Sequence, residues 1–175
     1  MFARLLSAGA EKKNAYAVYN ALVTQARSVS FYTDYGVPDT IEGRFDMILL
    51  HLFLVDVRLE KEGQPYVRIR RFIQEAMVSD MDRSFRELGI GDMSVGKEMK
   101  KVGGAWLGRR AAYVAASSSN AEPNAISETV QKNIYRGEAD DGIAKLVKYI
   151  GKTNIFLDAA TISAPENCEF LFPAA

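Results

Sequence analysis

A chain of 175 residues, 48% of them hydrophobic, is the size of one domain built on one core. Lys plus Arg equals Asp plus Glu at 22 each, and the sequence holds one His and one Cys. These totals argue against a disordered chain, a dedicated DNA or other nucleic-acid binder with a basic excess, a disulfide-stapled scaffold and a Cys/His zinc site.

From the N-terminus, Met1-Phe2-Ala3-Arg4-Leu5-Leu6 opens like a targeting peptide, but Gly9, Glu11, Lys12 and Lys13 follow too soon for a secretory signal. Residues 14–27 have helical spacing, with Tyr16, Tyr19 (or Asn20), Val23 and Ala26 on one side. Residues 31–38 carry two tyrosines, a Gly and a Pro and read as a loop. Asp39 or Thr40 can cap the next helix, with Glu42 in its first turn where the dipole favours a carboxylate. That helix, about residues 40–60, is apolar around nearly its full circumference and is expected to be the buried central helix. Its uncharged run, 47–55, is well short of the roughly 20 residues a membrane span requires, so the expected chain is cytosolic, with contact to a membrane surface left open.

Gly63 stops this helix, and Pro65 suits the first turn of another. Tyr66, Ile69, Ile73, Met77, Met81, Phe85 and Leu88 then recur at intervals of three or four. Gly89 and Gly91 end that run, and Asp92 or Ser94 is placed to cap a helix over 95–116 with Val95, Met99, Val102, Trp106 and Tyr113. A polar loop, 117–124, precedes two shorter helices that use Ile126, Val130 and Ile134, then Ile143, Leu146, Val147 and Ile150. The tail from 155 to 175 is apolar but less periodic, and Glu169-Phe170-Leu171-Phe172 can be extended. With no repeat and no run of strands, the expected class is all-α: a compact single-domain helical bundle over 1–175.

Few residues suggest chemistry. His51 has no carboxylate on its own face, since Asp46 and Asp56 each lie five positions away, and no Gly-x-Ser-x-Gly turn occurs. A hydrogen-bonded core or groove histidine is the favoured reading, and no catalytic, metal or cofactor residue is assigned. Arg44, His51 and Arg58 recur at intervals of seven and share one stripe of an otherwise apolar helix. Either each Arg is answered by an acid from a neighbouring helix, which is favoured, or the stripe lines a groove for a partner. Gly104, Gly108, Ala111 (or Ala112) and Ala115 form a small-residue strip, explained by tight internal packing or by docking of a partner's helix. Basic clusters at Arg68/Arg70/Arg71, Lys97/Lys100/Lys101 and Arg109/Arg110 are expected to be mostly solvated faces matched by acids.

The order Gln25-Ala26-Arg27, Phe31-Tyr32, Val37-Pro38-Asp39-Thr40, Gly43-Arg44-Phe45-Asp46, His51 and Arg58 resembles the ubiquinol–cytochrome c chaperone family. So does the continuation Asp80-Met81-Asp82, Arg86-Glu87-Leu88-Gly89-Ile90-Gly91-Asp92, Lys97, Met99, Lys100, Gly108-Arg109 and Tyr113. The resemblance covers a core of about residues 16–116 and fades over 117–175. It implies a non-enzymatic assembly factor for the cytochrome b–c complex that holds newly made cytochrome b, with a ribosome contact and a small helper protein known for mitochondrial members. The missing long leader points to a bacterial version at the cytoplasmic side of the inner membrane. The expected client-binding residues are Phe31, Tyr32, Arg44, His51, Arg58, Lys97, Lys100, Gly104, Gly108 and Arg109. The rival readings are a helical-bundle enzyme or binding protein for a lipid or isoprenoid, and a structural subunit of the complex.

Overall fold

In the computed structural model, which describes residues 2–138 and 140–175 with side chains from Ser7 onward, every regular element among the described residues is helical. The opening hexapeptide therefore lies in part outside the described residues. The first helix, α1 (Phe2–Ala26), starts well before the expected residue 14 and buries Ala15, Val18, Tyr19, Leu22 and Ala26 on one face. Tyr16 is half-exposed instead of facing inward, because the buried stripe runs through Ala15 and Tyr19 one position to its side. The expected loop at 31–38 begins as a short helix, α2 (Val29–Thr33), whose Phe31 is completely buried edge-on to Tyr35 and Tyr149.

The central helix is α3 (Ile41–Glu60), buried without a break from Asp46 to Asp56. Thr40, not Asp39, caps it, its hydroxyl oxygen accepting the Gly43 N–H at 3.0 Å. Gly43 faces the Pro38 carbonyl so closely that no Cβ fits, which explains a glycine inside the first turn. Gly63 adopts φ +77° and leads through a 3-10 turn, Gln64–Tyr66, into α4 (Val67–Glu87). Ile69, Ile73, Ala76 and Met77 form the buried face of α4, while Leu88, beyond its end, is exposed.

Gly91, and neither Asp92 nor Ser94, occupies the N-cap of α5 (Asp92–Ala116). Then come α6 (Ala125–Asn133) and α7 (Gly142–Ala159), so the start of the expected tail is helical. After a second 3-10 turn, Pro165–Asn167, residues 168–175 are irregular, and 169–172 pairs with no strand among the described residues. The tail is nevertheless packed, with Cys168 and Phe170 buried.

Helix α3 touches α1, α4, α5 and α7, while α1 runs along α4 and the Pro165–Asn167 turn. Side chains on all sides of α3 thus find neighbours, as its all-round apolar surface requires. Buried carboxylates paired with arginines bind the layers. Glu11, 3% exposed, joins α1 to Arg68 of α4, whose hydrogen bonds lower the Glu11 pKa against the opposing effect of burial. Asp56 accepts from Arg70 (2.9 Å) and Arg110 (2.7 Å), and Glu60 meets the same two guanidiniums, clasping α3 to α4 and α5.

Candidate functional site

His51 is at the centre of α3 with no exposure to solvent. Its Nδ1 lies 2.8 Å from the Met47 carbonyl, which can only accept, so Nδ1 carries the proton. Its Nε2 then accepts from the Tyr149 hydroxyl at 2.9 Å, and that hydroxyl in turn accepts from the Gln25 amide at 3.0 Å. Phe31, Tyr149 and Phe172 surround the imidazole at 5.5–5.7 Å between ring centroids. Burial pushes the His51 pKa down to about 4 from an ordinary 6.5.

This arrangement is structural, and it has a measurable consequence. Between those two pKa values the unfolded state binds more protons than the folded state, so stability falls as pH drops through the window and is flat above it. We expect a slope of up to about 1.4 kcal/mol per pH unit in urea titrations across that window, flattened in His51→Gln. An identical slope in the variant would remove the assignment.

The Arg44–His51–Arg58 stripe does not line one groove. Arg44 is exposed, bonds Asp39 at 2.6 Å and lies 5.7 Å over the Tyr32 ring. Arg58 is buried, and its guanidinium donates to the carbonyls of Leu157 (2.7 Å) and Ala160 (3.0 Å) while pairing with Glu62. Leu157 lies in the last turn of α7 and Ala160 is its C-cap, where carbonyl oxygens have spare acceptor capacity and a cation complements the dipole. Arg58 is therefore the cap of α7. Phe31 and His51 are corrected in the same way, from binding surface to core. Tyr32 is half-buried, its hydroxyl donating to the Ala26 carbonyl at 2.8 Å.

The basic clusters are mostly answered by acids. Arg71 meets Glu75, Lys101 meets Glu98, and Arg68, Arg70 and Arg110 serve the interior pairs above. Arg109 lies 2.5 Å from Asp46, which Arg136 also reaches at 2.9 Å. Burial raises the Asp46 pKa while both guanidiniums oppose the shift. Arg109 is consequently an internal partner as well.

Lys97, Lys100, Gly104 and Gly108 are different: the fold brings them together on an uncovered face of α5. At 100° per residue, Met93, Lys97, Lys100, Gly104, Leu107, Gly108, Ala111 and Val114 share one side, opposite the buried Val95, Val102, Trp106 and Tyr113. Met93 is 98% exposed and Leu107 67%. A Cβ built at Gly104 or Gly108 would meet nothing within 4 Å, so tight internal packing is not why these glycines are there. Beside this face, α3, α4 and α5 enclose a cleft of about 390 Å³ with an apolar lining from Phe45, Ile48, Met81, Phe85, Val102 and Ala105. Arg27, Arg44 and Lys101 stand on its rim with Glu42 and Glu98. Sequence reasoning missed this cleft: it placed Met81 and Phe85 in the apolar stripe of α4, and only the fold leaves that end of the stripe partly buried.

Residues 33–164 match the family described as ubiquinol-cytochrome C chaperone. The chain belongs to that family. It is 32% identical to a Cbp3 homolog from Brucella abortus whose crystal structure superposes with a TM-score of 0.78, covering 92% of this chain and 90% of that one. It is also 23% identical over 146 residues to ubiquinol-cytochrome-c reductase complex assembly factor 1 of Xenopus laevis, covering 82% of this chain and 72% of the frog protein. The mouse protein of the same name is 22% identical over 147 residues, and the chain spans 49% of its length.

For this ubiquinol-cytochrome C chaperone, the stretches that carried the family resemblance divide by role. Gln25 holds the Tyr149 hydroxyl and the Pro173 carbonyl, and Asp80 accepts from Tyr19 at 2.9 Å. Arg86 bridges Asp82 and Asp92 across the α4–α5 turn. These residues build the bundle. The α5 face and the adjoining cleft take no part in these contacts, and no described helix is long and apolar enough to cross a membrane.

Proposed function

We propose that this chain is an assembly chaperone for ubiquinol–cytochrome c reductase that holds newly made cytochrome b, with an apolar client helix lying along the outer face of α5. Family membership supports the role, and the uncovered α5 face is the observation that supports the place. Small residues let two helix backbones approach closely, and exposed Met93 and Leu107 add apolar area that water solvates poorly. The cleft under Phe45 and Met81 accommodates a bulky side chain of the same client, and Lys97, Lys100 and Arg44 orient polar ends of the segment. Arg44 is the one member of the central-helix stripe retained in this role.

Gly104→Leu and Gly108→Leu test the contact without disturbing the core. Each removes a helix-interior glycine from open space, so the bundle should gain up to about 1 kcal/mol. Co-purification of cytochrome b should fall about tenfold, the equivalent of roughly 1.4 kcal/mol. Undiminished capture by both folded variants sinks the α5 assignment. Deletion of the gene followed by a spectrum of membrane cytochromes tests the role itself: a normal cytochrome b signal would remove it. Presence of the chain in the finished complex would favour a structural subunit instead.

A further inference from the structure

The outer surface of α7 is a second feature that the client contact does not use. Lys145, Lys148, Lys152, Ile155 and Phe156 fall within an arc of about 100° on this helix, while Leu146, Tyr149, Ile150, Thr153 and Leu157 bury the other side. The arc holds no Asp or Glu between Gly142 and Ala159, since Asp158 projects elsewhere and is bound by Lys61 at 2.7 Å. None of the three lysines pairs with a carboxylate among the described residues. Lys145 donates to the Asp34 carbonyl at 2.6 Å, and the other two are free in solvent.

Lys145, Lys148 and Lys152 line one side of a pocket of about 230 Å³ together with Tyr35, Tyr149 and Ala174. In a chain whose charges balance at 22 each, and whose arginines are largely consumed in ion pairs, such a local surplus is uncommon. Immediately beyond the lysines on the same arc stand Ile155, 74% exposed, and Phe156, 44% exposed. Cations beside exposed apolar side chains on one helix face match the boundary of an anionic bilayer, where phosphates meet lysines and the apolar groups enter the acyl edge. The long lysine stems suit the same boundary, because they cover apolar surface while keeping the charge at headgroup level.

We propose that this arc of α7 is a docking face for an anionic phospholipid surface, with the pocket between Lys145, Lys148 and Lys152 receiving a headgroup phosphate. It is independent of which protein segment α5 holds. Binding here would keep the chain at the membrane where a hydrophobic client must be delivered.

The test is flotation of the full chain with vesicles of phosphatidylcholine, alone or mixed with phosphatidylglycerol. Binding is expected to the mixed vesicles only and to weaken as salt is raised. The double variant Lys148→Ala/Lys152→Ala should partition about 30-fold less, about 1 kcal/mol for each lysine. Ile155→Ser should weaken binding while preserving its salt dependence. The Lys97→Ala/Lys100→Ala variant on α5 should bind vesicles as the parent does. Equal binding to neutral and mixed vesicles, or no loss in the α7 double variant with an unchanged circular dichroism spectrum, would overturn the proposal. So would titration with inorganic phosphate, or with RNA, that showed binding to these lysines while vesicles failed to bind.

Discussion

Gly142→Ala is expected to destabilise the chain by about 3 kcal/mol, as overpacking against an element that cannot retreat. The methyl group would overlap the Tyr35 carbonyl and crowd the Asp140 carboxylate, which accepts the Gly142 N–H at 2.6 Å. Neither neighbour is free to move. The Tyr135 hydroxyl holds the same Tyr35 carbonyl at 2.6 Å, and Gly36 beside it takes φ +67° with the Asp140 side chain against it. This junction locks the turn before α3 to the start of α7, so relief at one point displaces the other. Gly151→Ala on the same helix is the control. It is exposed with nothing within 4 Å of its would-be Cβ, and should stabilise by up to about 1 kcal/mol. Urea unfolding of the two variants checks the contrast, and similar changes in both would show that helix propensity, not the junction, governs them.

Asp56→Ala is expected to cost about 3–5 kcal/mol, the range for removing one partner of a buried ion pair. Asp56 is 3% exposed and accepts hydrogen bonds from Arg70, Arg110 and Gln74, which come from two different helices. Without it, two partly buried guanidiniums face each other with only Glu60, which is half in solvent, to answer them. Arg110→Met in the Asp56→Ala background should recover part of the loss, since it removes one of the stranded charges and leaves an apolar stem. A double-mutant cycle measures the coupling. Strict additivity of the two substitutions would mean that Asp56 and Arg110 do not stabilise each other, contrary to their 2.7 Å contact.

The two largest effects therefore lie in residues that hold the bundle, and the client face of α5 is expected to tolerate change. That division follows from burial. Arg58, Arg109, Phe31 and His51 were candidates for binding by the stripe on the central helix and the family resemblance, yet each is occupied inside the molecule. Lys97, Lys100, Gly104 and Gly108 have no comparable internal task, and they lie side by side on α5.

What the amino-acid order determined by itself was local. The all-α class, the central helix with apolar residues on every side, a cap at Asp39 or Thr40, the Gly63 stop and the inward stripe of α4 all follow from spacing within one helix or turn. Such signals depend on neighbours a few positions away, so they survive without knowledge of the fold. The short α2 escaped because five residues are too few for a period to show, and Phe31 is held there by Tyr149 from another helix. His51 finds Tyr149 across 98 positions, and Arg58 reaches the end of α7 across 99. Spacing could place Gly104 and Gly108 on one strip, but not say whether that strip faced α3 or solvent. Only tertiary packing decides which face of a helix is covered, because the covering atoms come from elements far along the chain.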